Sequence, residues 1–592
     1  MKKVNLNSFP AKMVNREIAQ IFYEIAQFLE MEAVAFKPYA YEKAGLALET
    51  LAEDVKEIYK KEGLEGLKKI PGVGESMAEK IEEYLKTGKI KYYGQYRKKY
   101  PIDIEELTSV EGIGPKMVKA LWKELKIKNL KDLEKAAKLG KIRNLPRFGG
   151  KTEKNILQGI AFLKREKGRF SLGGILPTVQ EIIENLKSLK EIRQISEAGS
   201  VRRRKETIGD VDILAATSNP LKVINYFISL PGIVKIWGRG PTKASIRLKA
   251  GFDVDLRVVA EKSYGSALQY FTGSKEHNIV LRQIAINKGL KLNEYGLFKS
   301  KKMIAGKTEK EIYKKLGMNV MEPELRENTG EIEAALRQAQ GKPNGLPKII
   351  GYKDIKGDLH CHSSWDGGAN SIEEIAQAAI KMGYEYIGIS DHTKFLRIEH
   401  GLNEKQLLAR NKEIDKLNLR SKIKDPRFKI LKGCEANIMP DGSIDIEDEV
   451  LEKLDYVIAG IHSQFKMSKD QMTKRIITAM KNPNVDIISH PTGRIIQRRD
   501  EYQIDFDEVL KVAKETKTIL EINSFPERLD LKDIYIRKAK EAGVKMVINT
   551  DSHHIDHLRF IGYGIAQARR GWAEKKDIVN SWQVEELLKL FS

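Results

Sequence analysis

Acidic residues on two short segments of the chain could bind the metal ions used in phosphoryl transfer. Asp210 and Asp212 lie in GDVDILAAT and Asp255 lies in GFDVDLRVV, and both segments alternate polar and apolar residues as half-buried strands do. Residues two apart on a strand face the same side, so the carboxylates of two neighbouring strands would converge. Three converging carboxylates would hold two Mg²⁺ ions, which stabilise the attacking and leaving oxygens of a phosphoryl transfer.

A glycine turn followed by arginines precedes the first acidic pair. The segment AGSVRRRKE contains Gly199 and Ser200 in the turn, with Arg202 and Arg203 after it. Backbone N–H and guanidinium groups at such a turn would cradle a triphosphate. Two acids on a strand are also compatible with a solvent-exposed face, but the turn and the second acidic strand together favour the metal site. Asp253 lies on the same face of the second strand and would add a fourth acid.

Histidines are concentrated in the C-terminal part of the chain, where nine of the ten follow residue 352. Imidazole and carboxylate groups together suit Zn²⁺, Mn²⁺ or Fe²⁺ better than Mg²⁺ alone. The candidate ligands all lie at the ends of predicted strands and are His360, His362, His392, Glu435, His462, His490, Asp551 and His553. A lone histidine in a strand is usually structural, but so many ligand-type residues at strand ends predict a metal site.

Glycine turns recur in the N-terminal part of the chain. IPGVGESMAEKI (70–81) and VEGIGPKMVKAL (110–121) place G-x-G before an amphipathic helix, and LPRFGGKTEKNIL (145–157) is a looser third copy. The turns at Gly72, Gly74, Gly112 and Gly114 would expose backbone N–H groups to a phosphate at the positive end of a helix. Together with the net charge of +22, they predict DNA binding without base recognition.

The elements that position these groups differ along the chain. Residues up to about 168 have apolar residues at helical spacing, and residues 170–335 are mixed α/β. After residue 353, seven predicted strands alternate with helices, which indicates a parallel barrel whose C-terminal strand ends form the active face. The chain contains no long apolar run and no secretory signal, so we expect a cytoplasmic protein with no membrane partner.

The first 335 residues resemble the family X DNA polymerases. The motifs GSVRR (199–203), GDVD (209–212), VDLR (254–257), YFTGS (270–274) and NEY (293–295) occur in the order of that family. The resemblance implies that Asp210, Asp212 and Asp255 are metal ligands and that Asp255 activates the primer 3′-hydroxyl. The implied nucleotide-binding residues are Gly199, Ser200, Arg203 and Gly209 at the triphosphate, Tyr270, Phe271 and Gly273 at the sugar, and Asn278 and Arg282 at the base pair and template. An arginine that some members place just before this segment is not evident near FSLGGILP.

The N-terminal segment is similar to the small DNA-end-binding domain of the same family. The resemblance places Lys37 and Tyr41 in a 5′-phosphate pocket and makes Lys80 a Schiff-base lysine for an abasic sugar. Ser76 replaces a basic residue often found in this domain. Lys80 lies on a predicted helix, where an ordinary surface lysine is the alternative.

Residues 353–592 look like a PHP (polymerase and histidinol phosphatase) domain. The resemblance implies a trinuclear metal site in a seven-stranded barrel, 3′→5′ exonuclease activity and a possible activity as an endonuclease at abasic (AP) sites. This chain reads HSSWDGG at 362–368, so Gly367 stands where the family usually has an acid. Asp366, one residue earlier, is predicted to replace it as a metal ligand.

We therefore predict a multidomain chain with an all-α helix-hairpin-helix part, an α+β nucleotidyltransferase palm and thumb, and a (βα)7 PHP barrel. The predicted boundaries are 1–90 for the DNA-end-binding domain, 91–168 for the second helix-hairpin-helix region, 169–261 for the palm, 262–335 for the subdomain that contacts dNTP and template, 336–352 for a linker and 353–592 for the PHP domain. The predicted function is the filling of short gaps in base excision repair with two Mg²⁺ ions, beside an exonuclease with up to three Mn²⁺ or Zn²⁺ ions. We expect a monomer that binds gapped or primed DNA and dNTPs.

Three alternatives remain open at this point. The first is a PHP-type DNA nuclease in which the polymerase half mainly positions DNA, although the intact acidic set disfavours it. The second is a DNA-binding scaffold with structural metals, although structural zinc sites are usually rich in cysteine and this chain has only Cys361 and Cys434. The third is a small-molecule phosphatase, which leaves the predicted DNA-binding hairpins unexplained.

Overall fold

The computed structural model describes residues 11–51, 53–70, 72–110, 112–146, 148–165, 168–419 and 428–591. The first ten residues, which belong to the predicted domain 1–90, lie outside this part. The chain divides into two compact units, residues 1–167 with 497–499 and residues 168–496 with 500–592. Within the described ranges, no helix has both the length and the apolar composition needed to cross a membrane.

The described residues of the first unit are helical, as the spacing of their apolar residues predicts. Ile18, Phe22 and Ile25 lie on one face of the helix Ala11–Met31 and are fully buried. The α-helices are Ala11–Met31, Lys37–Thr50, Val55–Lys68, Glu75–Thr87, Lys91–Lys99, Ile104–Thr108, Pro115–Leu125, Leu130–Lys138 and Gly150–Arg165, with a 3₁₀ turn at Ile142–Asn144. They enclose two apolar cores, one mainly among the first four helices and one among the later ones.

The second unit begins with a five-stranded sheet, which we call the palm sheet. Its strands, in spatial order, are Ile192–Glu197, Val211–Thr217, Asp253–Val259, Lys243–Leu248 and Ile233–Arg239. Val211–Thr217 and Asp253–Val259 run parallel, while the other neighbours are antiparallel. This parallel pairing places Asp212 directly opposite Asp255.

Helices cover the two faces of the palm sheet, because its strand Val211–Thr217 is apolar on both sides after Asp212. Ile213 and Ala215 face the core formed with the helices Leu172–Lys187 and Pro220–Phe227. Leu214 and Ala216 face the helix Tyr264–Thr272 on the other side. The alternation therefore puts Asp212, two residues before Leu214, on the face of Tyr264–Thr272.

A small thumb follows the palm sheet. Its helices are Tyr264–Thr272, Lys275–Asn287, Glu309–Lys315 and Glu331–Ala339, with 3₁₀ turns at Glu261–Ser263 and Pro323–Leu325. Its antiparallel strands are Lys291–Asn293, Gly296–Lys299 and Lys302–Ala305. The short helix Gly199–Arg202 and the strand pair Phe170–Ser171 and Thr207–Ile208 belong to the palm and flank the acidic residues.

The rest of the second unit is a parallel barrel, which confirms the predicted C-terminal fold. Its strands are Gly357–Asp358, Tyr386–Ile389, Lys429–Lys432 continued by Glu435–Asn437, Ile458–Gly460, Ile487–Ile488, Ile519–Asn523 and Met546–Asn549. Parallel bridges from Cys361 to Ser552 and from His392 to Glu435 join the two sheets. The described residues thus contain the seven predicted strands, the third of them interrupted at Gly433.

Helices surround the barrel strands, which are mostly buried on both sides and, apart from Glu521 and residues at their ends, apolar. The helices are Ile372–Lys381, Glu404–Leu419, Asp448–Leu451, Lys469–Met480, Phe506–Thr516, Asp533–Ala542, Ile561–Arg570 and Val584–Phe591. Four 3₁₀ turns lie at Arg397–Glu399, Ile555–Phe560, Lys575–Asp577 and Val579–Ser581. The polar residues that follow the strands consequently meet at one end of the barrel, which we call the barrel mouth.

Candidate active sites

The palm acids, Asp210, Asp212 and Asp255, come together at the start of the two parallel strands. A backbone hydrogen bond of 2.8 Å from Ala198 N to the Asp212 carbonyl oxygen holds the glycine turn against this strand. Gly199 has a φ of 57°, and a Cβ atom there would lie 2.5 Å from Asp212 Oδ2. The turn therefore requires glycine both for its backbone conformation and for the space that the carboxylate occupies.

The electrostatics of the palm acids favour a bound cation. Burial, together with the neighbouring charges of Asp210 and Asp255, raises the pKa of Asp212 to about 6. Lys243 Nζ lies 2.9 Å from Asp255 Oδ2 and offsets part of the repulsion. The three carboxylates, whose repulsion Arg257 and Lys243 offset only in part, form an all-oxygen donor set that suits a hard divalent cation. Within the described part of the chain, the most compact sets of potential metal ligands lie in the barrel and not among the palm acids.

Two residues that the sequence placed beside the palm acids are engaged elsewhere. Asp253 accepts hydrogen bonds of 2.8 Å from Arg247 Nη2 and 2.8 Å from Trp237 Nε1, so it forms a separate ion pair instead of a fourth acid of the site. Arg202 forms a bidentate pair with Glu309, at 2.9 and 2.7 Å, and is therefore not directed to a triphosphate. Both corrections arise from partners outside the motif: the Asp253 partners lie on the strands Lys243–Leu248 and Ile233–Arg239, and the Arg202 partner lies in the thumb.

Arg203 joins the glycine turn to the YFTGS segment. Its Nη1 donates to the Thr272 carbonyl oxygen, and its Nε donates to Glu327 Oε1 at 3.1 Å. A Cβ atom on Gly273, which has a φ of 71°, would lie 3.1 Å from Arg203 Nη1. The segment expected at the triphosphate and the segment expected at the sugar are thus in direct contact.

The residues expected at the base pair form a second connected group. Asn278 Nδ2 donates to the Tyr270 carbonyl oxygen at 2.7 Å, and Arg282 Nε donates to the Asn278 carbonyl oxygen at 3.2 Å. The Arg282 guanidinium lies 5.9 Å from the Tyr270 ring centre, and Arg257 lies 4.4 Å from that of Phe271. The two aromatic rings are therefore flanked by cations at the edge of the palm sheet.

Arg169 lies directly before FSLGGILP, where no arginine was expected. It donates to Thr207 Oγ1 at 2.9 Å and to the Thr207 carbonyl oxygen at 2.6 Å. Its Nη1 lies 3.7 Å from the position a Cβ atom would take on Gly209. The expected absence of an arginine is thus wrong: the residue directly before Phe170 supplies one beside Gly209.

The histidines at the barrel mouth gather around one buried carboxylate, Glu435. Its oxygens lie 3.0 Å from His490 Nε2, 3.1 Å from His392 Nε2, 3.3 Å from His360 Nε2 and 3.4 Å from His462 Nε2. Burial disfavours the ionised form of Glu435, but His360 and His462 outweigh it and hold its pKa well below the usual range. A buried carboxylate surrounded by several imidazoles is a donor set that would hold divalent metal ions.

The other predicted barrel ligands complete the same cluster. Four compact sets of potential ligands occur there: His360, His362 and Asp551; His362, His392 and His553; His392, Glu435 and His462; and His362, Asp366 and Asp391. The buried atoms His360 Nε2, His362 Nε2 and His490 Nδ1 accept or donate no hydrogen bond within the described part of the chain. Buried polar atoms normally have partners, so these nitrogens fit a site for metal ions.

Asp366 lies in the cluster but contacts the Nδ1 atoms of two histidines, on the side of each ring that faces away from Glu435. Its Oδ2 is 2.8 Å from His362 Nδ1 and 2.9 Å from His392 Nδ1, whereas the Nε2 atoms of both rings face the central carboxylates. At the family's usual acid position, a Cβ atom on Gly367 would lie 2.6 Å from Glu399 Oε2. The Glu399 carboxylate, from a different loop, thus occupies the space beside this glycine.

Further polar residues around the barrel mouth were not found from the sequence. Glu521 is fully buried in the strand Ile519–Asn523 and accepts from His360 Nδ1 at 2.7 Å. Arg528 Nε lies 3.5 Å from Asp551 Oδ2, and its side chain is partly exposed. The charged residue within the apolar run ILEIN could have indicated that Glu521 belongs to the site. No pattern near Arg528 indicates a role for that residue.

The two glycine turns of the first unit have the geometry that the motif predicts. Gly72 and Gly112 have φ angles of 83° and 84°, which favour glycine. Gly74 and Gly114 are the N-terminal caps of the helices Glu75–Thr87 and Pro115–Leu125, with no side-chain cap. The first N–H groups of both helices are therefore not capped by a side chain, as an anion-binding turn requires.

Lys80 lies among aromatic rings on the helix Glu75–Thr87. Its Nζ is 5.9 Å from the ring centre of Tyr41 and 5.2 Å from that of Tyr92, and it donates to Ser76 Oγ at 2.8 Å. Burial lowers the pKa of Lys80. Tyr41 is buried, whereas Lys37 is exposed at the start of the helix Lys37–Thr50.

The chain matches four protein families along its length. Residues 13–90 match a helix-hairpin-helix domain, 104–161 a SAM-like helix-hairpin-helix tandem, 267–327 the DNA polymerase beta thumb and 358–525 the PHP domain. A solved structure of Leishmania infantum polymerase beta, a ternary P/T complex, is 25% identical, with a TM-score of 0.25, and covers 38% of this chain and 97% of its own.

Similarity to curated proteins extends over the whole chain and, separately, over its barrel. A probable phosphatase of Caldanaerobacter subterraneus is 35% identical over 33% of this chain and 75% of its own length. The DNA polymerase/3′-5′ exonuclease PolX of Bacillus subtilis is 37% identical over 97% of this chain and 99% of its own length. Since this identity covers both the palm acids and the barrel mouth, the chain belongs to the family X DNA polymerases that carry a PHP domain.

Proposed function

We propose that this chain is a DNA polymerase that fills short gaps with dNTPs, and that its barrel is a 3′→5′ exonuclease. The observation that carries the polymerase assignment is the parallel register of Asp212 and Asp255 beneath the Gly199 turn. The acids, the turn and Arg203 meet on one face of the palm sheet, where a triphosphate and a primer end would have to meet.

In the proposed polymerase reaction, each group of the palm has a separate task. Asp210, Asp212 and Asp255 would hold two Mg²⁺ ions, which supply charge stabilisation to the attacking and leaving oxygens when bound. Asp255 takes up the proton of the primer 3′-hydroxyl. Arg203, with Arg169 beside Gly209, orients the negative phosphate oxygens. Fixed cations of this kind favour the transition state because they need no reorganisation as charge develops.

In the proposed exonuclease reaction, the barrel residues would hold up to three Mn²⁺ or Zn²⁺ ions. The proposed metal ligands are His360, His362, Asp366, His392, Glu435, His462, His490, Asp551 and His553, and Asp366 also contacts the Nδ1 atoms of His362 and His392. The bound ions would supply a Lewis acid and an activated water for phosphodiester hydrolysis. Arg528 at the rim contacts the scissile phosphate, and Glu521 fixes the ring of His360 from behind.

Primer extension on a duplex with a one-nucleotide gap tests the polymerase assignment. We expect Asp255→Asn to lower kcat by at least about 10³-fold, because both ion binding and proton uptake depend on this carboxylate. Asp253→Asn is the matched control: it lies two residues away on the same strand but is paired with Arg247. We expect it to stay within about twofold of wild type, since surface ion pairs contribute little. Extension by Asp255→Asn at the wild-type rate would contradict the role of Asp255, whereas no extension by the wild type would support the alternative in which the polymerase half only positions DNA.

A second candidate activity is removal of an abasic sugar phosphate by Lys80. The ring contacts of Lys80 and its lowered pKa support this activity, because only the neutral amine forms an imine. Reduction with borohydride would trap the chain covalently on DNA with an abasic 5′ end, and Lys80→Ala would not be trapped. Lys86→Ala, on the same helix but paired with Glu82, is the control. Trapping of Lys80→Ala at the wild-type level would contradict the assignment.

We also propose domain boundaries at 1–90, 91–168, 169–261, 262–335, 336–352 and 353–592. Lys37, Tyr41 and the two glycine turns are the proposed contacts to gapped DNA. A role in base excision repair, AP endonuclease activity, a cytoplasmic location and a monomeric state complete the proposal. Sedimentation of the chain alone and with gapped DNA tests the stoichiometry: one chain per DNA is expected, and two would contradict a monomer.

A further inference from the structure

A buried ion-pair network links the barrel to the loop that carries Arg203. Arg570 is the last residue of the barrel helix Ile561–Arg570. Its Nη1 donates to the Arg203 carbonyl oxygen at 2.8 Å and to Glu327 Oε1 at 3.0 Å. The same Oε1 atom accepts from Arg203 Nε at 3.1 Å. Glu327 therefore lies between a guanidinium of the barrel and a guanidinium of the palm.

The network is well shielded from solvent. Only 4% of the Arg570 side chain and 16% of the Glu327 side chain are exposed. Burial disfavours ionisation of Glu327, but Arg570, Arg203 and Lys205 outweigh it and lower its pKa. Arg570 also donates to Asp533 Oδ2 through Nη2, so two carboxylates fix the plane of its guanidinium. Such a buried and charged network allows few alternative side-chain positions.

This network restricts the position of the Arg203 guanidinium. Nε is engaged by Glu327 and Nη1 by the Thr272 carbonyl oxygen. Gly273 leaves just enough room for Nη1, since a Cβ atom there would lie 3.1 Å from it. Nη2 contacts no acceptor within the described ranges of the chain, so it is the atom left to bind an anion. Without Glu327 and its partner, only the Thr272 carbonyl oxygen would still restrain the Arg203 guanidinium.

We propose that Arg570 is a positioning residue for nucleotide binding by the palm. Through Glu327 and through the Arg203 carbonyl oxygen, it holds the Arg203 guanidinium with Nη2 directed to the triphosphate. This role rests on the proposed function, in which Arg203 binds the triphosphate. It follows that the barrel contributes to the affinity for dNTP, in addition to its own hydrolytic site.

Single-nucleotide insertion into a gapped duplex, with KM for dNTP and kcat measured separately, tests the proposal in the full-length chain. We expect Arg570→Met to raise KM about tenfold with kcat changed less than about threefold, because a charged hydrogen bond that orders Arg203 is lost. Arg570→Lys should give a smaller rise, since it keeps one donor. Arg569→Met is the matched control: Arg569 precedes Arg570 on the helix and is paired with Glu324 at 2.7 Å, but it does not contact Arg203. Its KM should stay within about twofold of wild type.

The outcomes separate this inference from the proposed function. Equal KM values for Arg570→Met and Arg569→Met would mean that Arg570 acts only through stability, and would overturn the proposal. If Arg203→Met raises KM and Arg570→Met does not, the positioning role is wrong and the triphosphate role of Arg203 stands. If Arg203→Met leaves KM unchanged, the triphosphate role itself is wrong. Melting temperatures and exonuclease rates of the Arg570 and Arg569 variants verify that each is folded.

Discussion

Replacing Gly199 with alanine should disable DNA synthesis without touching a charged group. The new Cβ atom would lie 2.5 Å from Asp212 Oδ2, whereas ordinary van der Waals contact begins at 3.4 Å. The Asp212 carboxylate would therefore have to move by about 0.9 Å, the difference between these two distances. The φ of 57° at this residue also costs an alanine about 1 kcal/mol.

The size of the effect follows from the displacement. A misplacement of about 1 Å in a reacting group lowers the rate by about a hundredfold. We therefore expect Gly199→Ala to lower kcat for gap filling by about 10²-fold. Its exonuclease rate should remain at the wild-type level, because the barrel mouth contains none of the palm acids.

Gly251→Ala is the matched control for this substitution. Gly251 also has a positive φ, of 90°, and lies in the palm, but a Cβ atom there would be 3.8 Å from the Phe170 ring and in ordinary contact. It therefore bears the backbone strain without displacing a carboxylate. The assay is single-turnover insertion of one nucleotide, with melting temperatures measured for both variants. A normal insertion rate for Gly199→Ala, or an equal loss in Gly251→Ala, would refute the reasoning.

Three other substitutions probe the barrel. Glu521→Gln should weaken metal binding by about 10- to 100-fold, because the ring of His360 loses a charged partner. Metal titration of the variant measures the affinity, and an affinity equal to that of wild type would contradict the prediction. As a single substitution, Gly367→Asp should destabilise the barrel, because its Cβ atom would lie 2.6 Å from Glu399 Oε2. The loss should be much smaller when Glu399→Gly is also present. If the two substitutions change the free energy of unfolding additively, this contact is excluded. Burial raises the pKa of Asp486 to about 7, so ionisation of this carboxyl opposes folding increasingly as the pH rises from about 4 to 7. Asp486→Asn should therefore stabilise the barrel by about 1–2 kcal/mol at pH 8, a value reduced for the partial exposure of the side chain, and by less at pH 5. Urea unfolding at the two pH values measures this difference. An equal stabilisation at both pH values would show that the carboxyl is not responsible.

The sequence was sufficient for the features that depend on local patterns. Alternation around Asp212 and Asp255 predicts two strands with acids on a common face, and the parallel register brings these acids together. The strands that precede His392 and Asp551 are short, mainly apolar runs, so their C-terminal ends and the polar residues there were predictable. Strand periodicity is a local property, and a barrel brings all such strand ends to one rim.

The features that depend on contacts between distant segments were not predictable from these patterns. Asp253 has the spacing of a fourth acid, yet Arg247 on the neighbouring strand neutralises it. Arg169 is visible in the sequence directly before Phe170, but its contact with Thr207 beside Gly209 follows from no local pattern. Likewise, no motif marks the pair of Glu327 and Arg570, which are far apart in the chain. Side-chain pairing of this kind is set by tertiary packing, whereas periodicity reports only which face is buried.

The most direct test of the account asks whether the two clusters of acids and histidines catalyse separate reactions. Asp212→Asn and His360→Ala would each be assayed on one labelled gapped duplex, with dNTP and Mg²⁺ for extension and with Mn²⁺ alone for shortening of the 3′ end. We predict that Asp212→Asn abolishes extension and retains shortening, while His360→Ala retains extension and abolishes shortening. Loss of both reactions in either folded variant, or persistence of extension in Asp212→Asn, would contradict the account.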